Sequence, residues 1–257
     1  MPNDDHVAEV YLGSRSDPLT QSRCRSRVDW MVAETVGPNV LDIGCSQGIT
    51  SILCARRGLT VTGLDREERP LEYAKQLASR EPEDVASRVQ FEQTDVLVDP
   101  LPEGTFNTVL LGEILEHQAD PESLIERAVA AAGDAGRIVI TTPIGIHPHP
   151  DHRTYFDMRR FLQIVDGLCK MHLSIADLYI RCIVTPKAGD GGCIELSDSD
   201  LLAMSEDAMM QRQEEMAERI THFRGRCDTL MDRTKLLQAR IDRFKAAPRP
   251  ADPAEEC

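Results

Sequence analysis

Val40-Leu41-Asp42-Ile43-Gly44-Cys45-Ser46-Gln47-Gly48 is the stretch from which the rest of the chain can be read. Its first four residues are a short, mostly apolar run of the length of a buried strand. Gly44 carries no Cβ and lets the backbone turn tightly. Gly48 opens an expected helix over residues 48–57, with Ile52, Leu53 and Ala55 facing a core. A strand, a glycine turn and a helix N-terminus bring backbone N–H groups close to a ligand. The carboxylate of Asp42 beside the same turn favours a ligand that also carries a positive group.

The spacing G-x-x-x-G is not the G-x-G-x-x-G of a dinucleotide site. Gly44-Cys45-Ser46-Gln47-Gly48 also fits G-x-S-x-G, the nucleophile elbow of serine hydrolases, which makes Ser46 the nucleophile of an alternative reading. That elbow lies in the middle of its sheet, whereas this turn follows the first strand. The string D-x-G-C-x-x-G resembles motif I of the class I S-adenosylmethionine-dependent methyltransferases, with Ser46 where the usual form has a further glycine. The resemblance extends over residues 29–186. It implies S-adenosyl-L-methionine as cofactor, with Asp42, Gly44, Cys45 and Gly48 around it.

Outward from the motif, strands are expected at 59–64, 88–93, 106–111, 137–141, 173–179 and 181–186, and helices at 19–36, 70–79, 121–132 and 157–168. This alternation predicts an α/β fold, a doubly wound, mostly parallel seven-stranded sheet of Rossmann-like methyltransferase type. Ligands in such sheets bind outside the carboxyl ends of the strands. Asp65 ends the second strand, about twenty residues after the glycine turn, where an acid accepts ribose hydroxyls; capping of the next helix is the other reading. The resemblance makes Asp95, with Val96 beside it, the acid that bonds the adenine amino group. Leu111 and Glu113 complete the strand ends expected at the cofactor. Arg27, on the first long helix, reads either as a solvated surface arginine or as the group that holds the carboxylate of an amino-acid-like ligand.

Gly112-Glu113-Ile114-Leu115-Glu116-His117 follows the fourth strand, and on a helical turn its two carboxylates and imidazole share one face. Ile146-His147-Pro148-His149-Pro150-Asp151-His152 follows the fifth. Such groups bind a hard or borderline cation. The pair is similar to the ubiquinone-biosynthesis O-methyltransferases and to the small-RNA 3′-end 2′-O-methyltransferases. That resemblance implies magnesium held by Glu113, Glu116 and His117, with His149 or His152 as a fourth ligand. Without a metal, His117 or His152 is the expected general base. Residues 142–161 also resemble methyltransferases of bacterial surface-glycan synthesis, which implies a sugar hydroxyl as acceptor.

The 257 residues carry 43 acidic against 29 basic side chains, a net charge of −14 that disfavours nucleic acid as a partner. No apolar run is long enough to span a membrane, and no basic-then-apolar leader begins the chain. The eight cysteines form no C-x-x-C pair, and several lie inside apolar stretches and read as reduced core residues of a cytoplasmic protein.

Residues 1–18 are expected to be loose, 19–190 to form the methyltransferase domain, 198–246 a long helix and 247–257, with Pro248, Pro250 and Pro253, a disordered tail. Leu202, Met209, Met216, Phe223, Leu230, Leu237 and Phe244 recur every seven residues, a coiled-coil seam beside a second series, Arg212, Arg219, Arg226, Arg233 and Arg240. The helix is expected to make a homo-oligomer or to dock a partner; folding back on its own domain is the alternative. The function that follows is an O-methyltransferase acting on a sugar, glycan or other small-molecule hydroxyl. Its rivals are the Ser46 hydrolase and a non-catalytic adenosyl-ligand-binding module with a docking helix.

Overall fold

The computed structural model describes residues 6–146, 149–187 and 192–246. The expectations for residues 1–5, for His147 and for the tail 247–257 lie outside these, as do those for the side chains of Arg219 and Phe244.

Seven strands form one sheet: β1 Asn39–Ile43, β2 Thr60–Asp65, β3 Val89–Gln93, β4 Thr108–Gly112, β5 Arg137–Pro143, β6 Cys169–Ala176 and β7 Tyr179–Thr185. Their order is β3-β2-β1-β4-β5-β7-β6. The first five pair in parallel, and β7 runs antiparallel to both β5 and β6. After β3 the chain crosses to the far side of β1, so the sheet's order reverses between β1 and β4 and leaves a crevice at their carboxyl ends. The reason β4 lies centrally is in its residues: Val109, Leu110 and Leu111 are all fully buried, as a strand covered on both faces requires. Each such side chain contributes at most about 1.5–3 kcal/mol.

The helices have legible ends. α2, Pro18–Glu34, begins where the Asp17 carboxylate accepts from the backbone of Leu19 and Thr20, with proline in the first turn. α6, Pro121–Ala132, is capped by Asp120 in the same way. α3 is Ile49–Arg56, and α4 and α5 are Glu68–Ala78 and Glu83–Ala86. α7, Met158–Ile164, stops short of the expected residue 168 because the chain turns through Gly167 at φ +74° into β6.

Two expectations are corrected. Residues 7–18 are not loose throughout: Val7–Tyr11 form a helix, α1, with Ala8 fully buried against Cys24, Val28 and Ile49. The Gln47 side-chain carbonyl accepts from the backbone N–H groups of Ala8 and Glu9 at 2.9 and 3.3 Å. Five residues are too few to show a helical period, and this helix is held by tertiary contacts. The cysteines are not all reduced either. Cys24, Cys45, Cys54 and Cys182 are buried thiols, but Cys169 is joined to Cys193 by a disulfide across 24 residues.

The last helix, α8, runs Asp198–Ala246. The compact unit that contains the sheet extends through Ala208, and Leu201, Met204 and Ala208 pack into its main core. Of the second unit, residues 209–246 are described, a single helix on which Met209, Met216, Phe223, Leu230 and Leu237 are exposed. No helix among the described residues is long and apolar enough to cross a membrane.

Candidate functional site

At the tip of β1 the backbone N–H groups of Gly44 and Cys45 both donate to the Leu64 carbonyl, at 2.7 and 3.0 Å, and tie the turn to β2. Gly44 has φ +71°, and a Cβ there would lie 2.4 Å from Ile114 Cδ1. Gly48 also has φ +71°, and its Cβ would meet Phe91 and Ala74 at 2.5 and 2.8 Å. Both positions therefore need glycine twice over, for conformation and for room. Asp65, at the tip of β2, accepts from the Ser46 N–H at 2.8 Å with one oxygen and from the Glu67 N–H at 2.9 Å with the other. Both oxygens are thus tied to the backbone, and this acid is fixed in place at the cavity. Asp95, after β3, accepts from the Leu97 N–H at 3.1 Å.

These tips border a cavity of about 650 Å³. Gly44, Asp65, Asp95 and Val96 line one side, and Glu113, His117, Asp151 and Arg153 are also in its wall. A smaller cavity adjoins the turn, lined by Arg27, Asp42, Gly44, Cys45, Ser46 and Glu113. Of the residues expected at the cofactor, Leu111 is fully buried in the core and Gly48 sits behind the turn against Phe91; neither is in the lining of these two cavities.

Arg27 is 4% exposed, and its guanidinium pairs with Glu113 at 2.9 Å. It is thus a buried group of the smaller cavity and not a solvated surface arginine. It also lies 5.7 Å over the ring of Tyr179, a residue the sequence reading missed. Burial, and then the charge of Glu113, raise the Tyr179 hydroxyl well above the usual phenol range. The signal lay in strand direction: β7 is antiparallel, so its first residue pairs with Pro143 at the ligand edge of the sheet. Asp42 accepts from the Ser51 hydroxyl at 2.6 Å, and its carboxyl is pushed up to about 6, chiefly by burial.

Glu113, Glu116 and His117 do not share a face. Glu113 has φ +53°, and Leu115–His117 form a single 3-10 turn, so the spacing of an α-helix does not apply. Glu113 goes to Arg27. Glu116 is buried, accepts from the Thr142 hydroxyl at 3.0 Å, and is pushed up to about 8 by burial first and the neighbouring Glu113 second. Its main-chain carbonyl accepts from the N–H groups of Arg153 and Thr154, at 2.8 and 3.0 Å, and so anchors the loop after β5. That loop brings His149 and His152 to His117, and one ring nitrogen from each of the three lies within 4.8 Å of the others. His117 Nδ1 is 3.3 Å from the Asp151 carbonyl, and His149 Nδ1 accepts from the Asp151 N–H at 3.4 Å.

Ser46 does not make a nucleophile. Its hydroxyl is buried and has no hydrogen-bond partner among the described residues, so no base is joined to it. An orphaned hydroxyl at the end of a small cavity that also holds one arginine and two carboxylates fits the polar tail of a zwitterionic ligand.

Comparison with known proteins gives the same class of molecule. A family model described as "Methyltransferase domain" matches residues 19–174. Ubiquinone biosynthesis O-methyltransferase of Pseudomonas putida (strain GB-1) is 38% identical over 122 residues, 45% of this chain and 50% of that protein. The enzyme of the same description from Pseudomonas aeruginosa (strain LESB58) is 38% identical over 120 residues, again 45% and 50% of the two chains. The chain therefore spans half the length of these curated relatives. Among solved structures, magnesium protoporphyrin IX methyltransferase from Synechocystis PCC 6803 superposes with a TM-score of 0.56 at 19% identity, covering 69% of this chain and 90% of that one. A glycopeptide N-methyltransferase complexed with S-adenosyl-L-homocysteine gives 0.54 at 14% identity, covering 63% and 86%. These two likenesses are of fold.

Proposed function

The chain belongs to the methyltransferase-domain family, and from that footing we propose that it transfers a methyl group from S-adenosyl-L-methionine to the oxygen of a small hydroxylated acceptor, such as a sugar. The observation that carries this reading is the convergence of the Gly44 turn, Asp65 and Asp95 on a single cavity whose wall also holds Glu113 and His117. The relatives' description as O-methyltransferases supports oxygen as the acceptor atom.

When bound, the cofactor supplies a methyl carbon already activated by its sulfonium. The protein's part is to hold, align and deprotonate. Asp65, held at the tip of β2 in the cavity's lining, accepts the ribose hydroxyls. Asp95 takes the adenine amino group, with Val96 giving an apolar surface beside it. Arg27 takes the carboxylate of the amino-acid end, and Asp42 and Glu113 face its ammonium. The polar edges of the turn and the Ser46 hydroxyl complete that end.

Across the cavity, His117 removes the acceptor's proton as general base; His152, the other candidate, has its ring 4.9 Å from that of His117 and is not in the cavity's lining. The donor set also fits a metal, though of a different kind from the magnesium that the glutamates implied. Glu113 and Glu116 are engaged with Arg27 and Thr142, which leaves three imidazoles. Imidazole nitrogen suits a borderline first-row ion such as zinc, whereas magnesium prefers oxygen. One ring nitrogen of each of the three lies close enough to the others to bind one such ion. A metal there would lower the acceptor hydroxyl's pKa and fix its position.

Calorimetry with S-adenosyl-L-methionine, followed by assay of S-adenosyl-L-homocysteine release with sugar and phenolic acceptors, tests this reading. Micromolar binding and acceptor-dependent release are expected. Binding without release from any acceptor would favour the non-catalytic module, and no binding would remove the reading altogether.

A further inference from the structure

The second unit, from residue 209, carries an unclaimed surface. Met209, Met216, Phe223, Leu230 and Leu237 follow one another at seven-residue steps, and all are exposed, Phe223 at 67% and Leu237 at 58%. Ile220 and Ile241, four residues after members of that series, are exposed beside it. At 3.6 residues per turn a seven-residue series drifts by about 20° per heptad, so over four heptads this stripe winds around its helix. A flat surface, such as a bilayer or the face of a domain, meets only part of a winding stripe. A second helix that coils with it meets all of it.

The charges beside the stripe decide which helix. An arginine stands three residues after each member: Arg212, Arg219, Arg226, Arg233 and Arg240. Arg212 pairs with Glu215 of its own helix at 3.3 Å. Arg226, Arg233 and Arg240 have no acidic residue three or four positions away along the helix. On the other flank, one residue after each member, stand Met210, Ala217, Arg224, Met231 and Gln238, again without an acid. A parallel pairing of two copies would set the arginine row opposite that second flank. An antiparallel pairing would set arginine against arginine. The helix from 209 to 246 has nine basic and six acidic residues in a chain whose net charge is −14, and its six acids stand away from the seam.

We propose that residues 209–243 dock a helix of a different protein, one with an apolar heptad seam flanked by glutamate or aspartate. The arginine row reads the partner's acids and the winding stripe covers its seam. Gln213 and Thr234, polar residues within the seam, restrict the register in which the two helices fit.

The test uses the full chain. A fluorescent 35-residue peptide with a leucine–isoleucine seam and glutamate on both flanks is the probe, since it repels itself and stays available for pairing. A peptide with the same seam and lysine flanks is the control. Fluorescence anisotropy is expected to show binding of the glutamate-flanked peptide only, with the protein itself monomeric by analytical ultracentrifugation at 10 µM, roughly the upper end of the range in which specific pairs form. The combined substitution Arg226→Glu, Arg233→Glu, Arg240→Glu should weaken that binding by about tenfold or more and create binding of the lysine-flanked peptide. The reversal of preference is a readout that loss of structure could not produce. Equal affinity for both peptides, a stable homo-oligomer that the charge reversal leaves intact, or co-sedimentation with phosphatidylglycerol vesicles in place of peptide binding would each overturn the proposal.

Discussion

The two walls of the cleft are made differently. On the side of β1, β2 and β3, the site is largely backbone: a glycine turn at φ +71°, tied to β2 through the Leu64 carbonyl, with Asp65 clamped by two main-chain N–H groups. On the side of β4 and β5 it is side chain: an arginine–glutamate pair and His117 in the lining, with a buried glutamic acid and two loop histidines next to them. A backbone wall suits a ligand that never changes. A wall of side chains carried on a loop is where an acceptor and a metal are chosen, since its residues can be exchanged without disturbing the sheet.

The largest effect should come from breaking the backbone wall. Gly44→Val puts a β-branched residue at a left-handed position, at a cost of about 1–2 kcal/mol, and drives its Cβ into Ile114, which is 2.4 Å away. Calorimetry should find affinity for S-adenosyl-L-methionine reduced by about 100-fold or more, since each 1.4 kcal/mol is tenfold. Circular dichroism should still show the folded sheet. Next comes Asp65→Ala, which removes both the clamp on the Ser46 N–H and the acceptor for the ribose. A hydrogen bond to a charged group contributes about 1.5–3 kcal/mol, so a 10- to 100-fold weaker cofactor is expected. Unaltered affinity in this variant would move the ribose elsewhere.

The side-chain wall should fail in a different quantity. His149→Ala is expected to leave cofactor affinity within about threefold of the parent while lowering turnover by roughly 10²-fold or more. Elemental analysis after dialysis against zinc should find the ion in the parent and lose it in the variant. Equal zinc in both proteins would end the three-imidazole assignment and leave His117 or His152 as an unaided base.

This division also explains what could be read from the sequence. Backbone devices leave local signatures. The order of strands and helices was legible because β4 carries the apolar run Val109–Leu111 and because α6 carries its own limits, Asp120 before Pro121 and Gly133 after Ala132. The positions of Gly44, Asp65 and Asp95 at the crevice follow from that order alone. Side-chain constellations leave no such trace. Nothing local announces that Glu113 adopts φ +53° and pairs with Arg27. The Arg27–Tyr179 contact joins the first long helix to the last strand, and the Cys169–Cys193 bond spans 24 residues without a recognisable motif. The five-residue helix α1 exists through its contacts with Gln47, Cys24 and Ile49 rather than through any period of its own.

Glu116 gives the smallest expected change in ligand binding and sharpens the comparison most, because the sequence resemblance makes it a metal ligand and its surroundings do not. Its carboxyl is raised from 4.5 to about 8, first by burial and then by the charge of Glu113. The folded protein therefore holds this proton more tightly than the unfolded chain does. The stability that comes with it is fully present below pH 4.5 and is lost as pH rises through 8. Glutamine keeps the shape and the acceptor for the Thr142 hydroxyl but has no proton to lose. Glu116→Gln should thus match the parent in denaturant unfolding near pH 4.5 and exceed it by up to a few kcal/mol near pH 9, beyond that titration. Asp42, raised to about 6, titrates in both proteins and cancels from the difference. Zinc content and cofactor affinity should not change. A variant that loses zinc would return Glu116 to the metal and make the wall one of mixed oxygen and nitrogen. A stability difference independent of pH would mean that the carboxyl is ionised in its pocket and that Arg27 serves both glutamates.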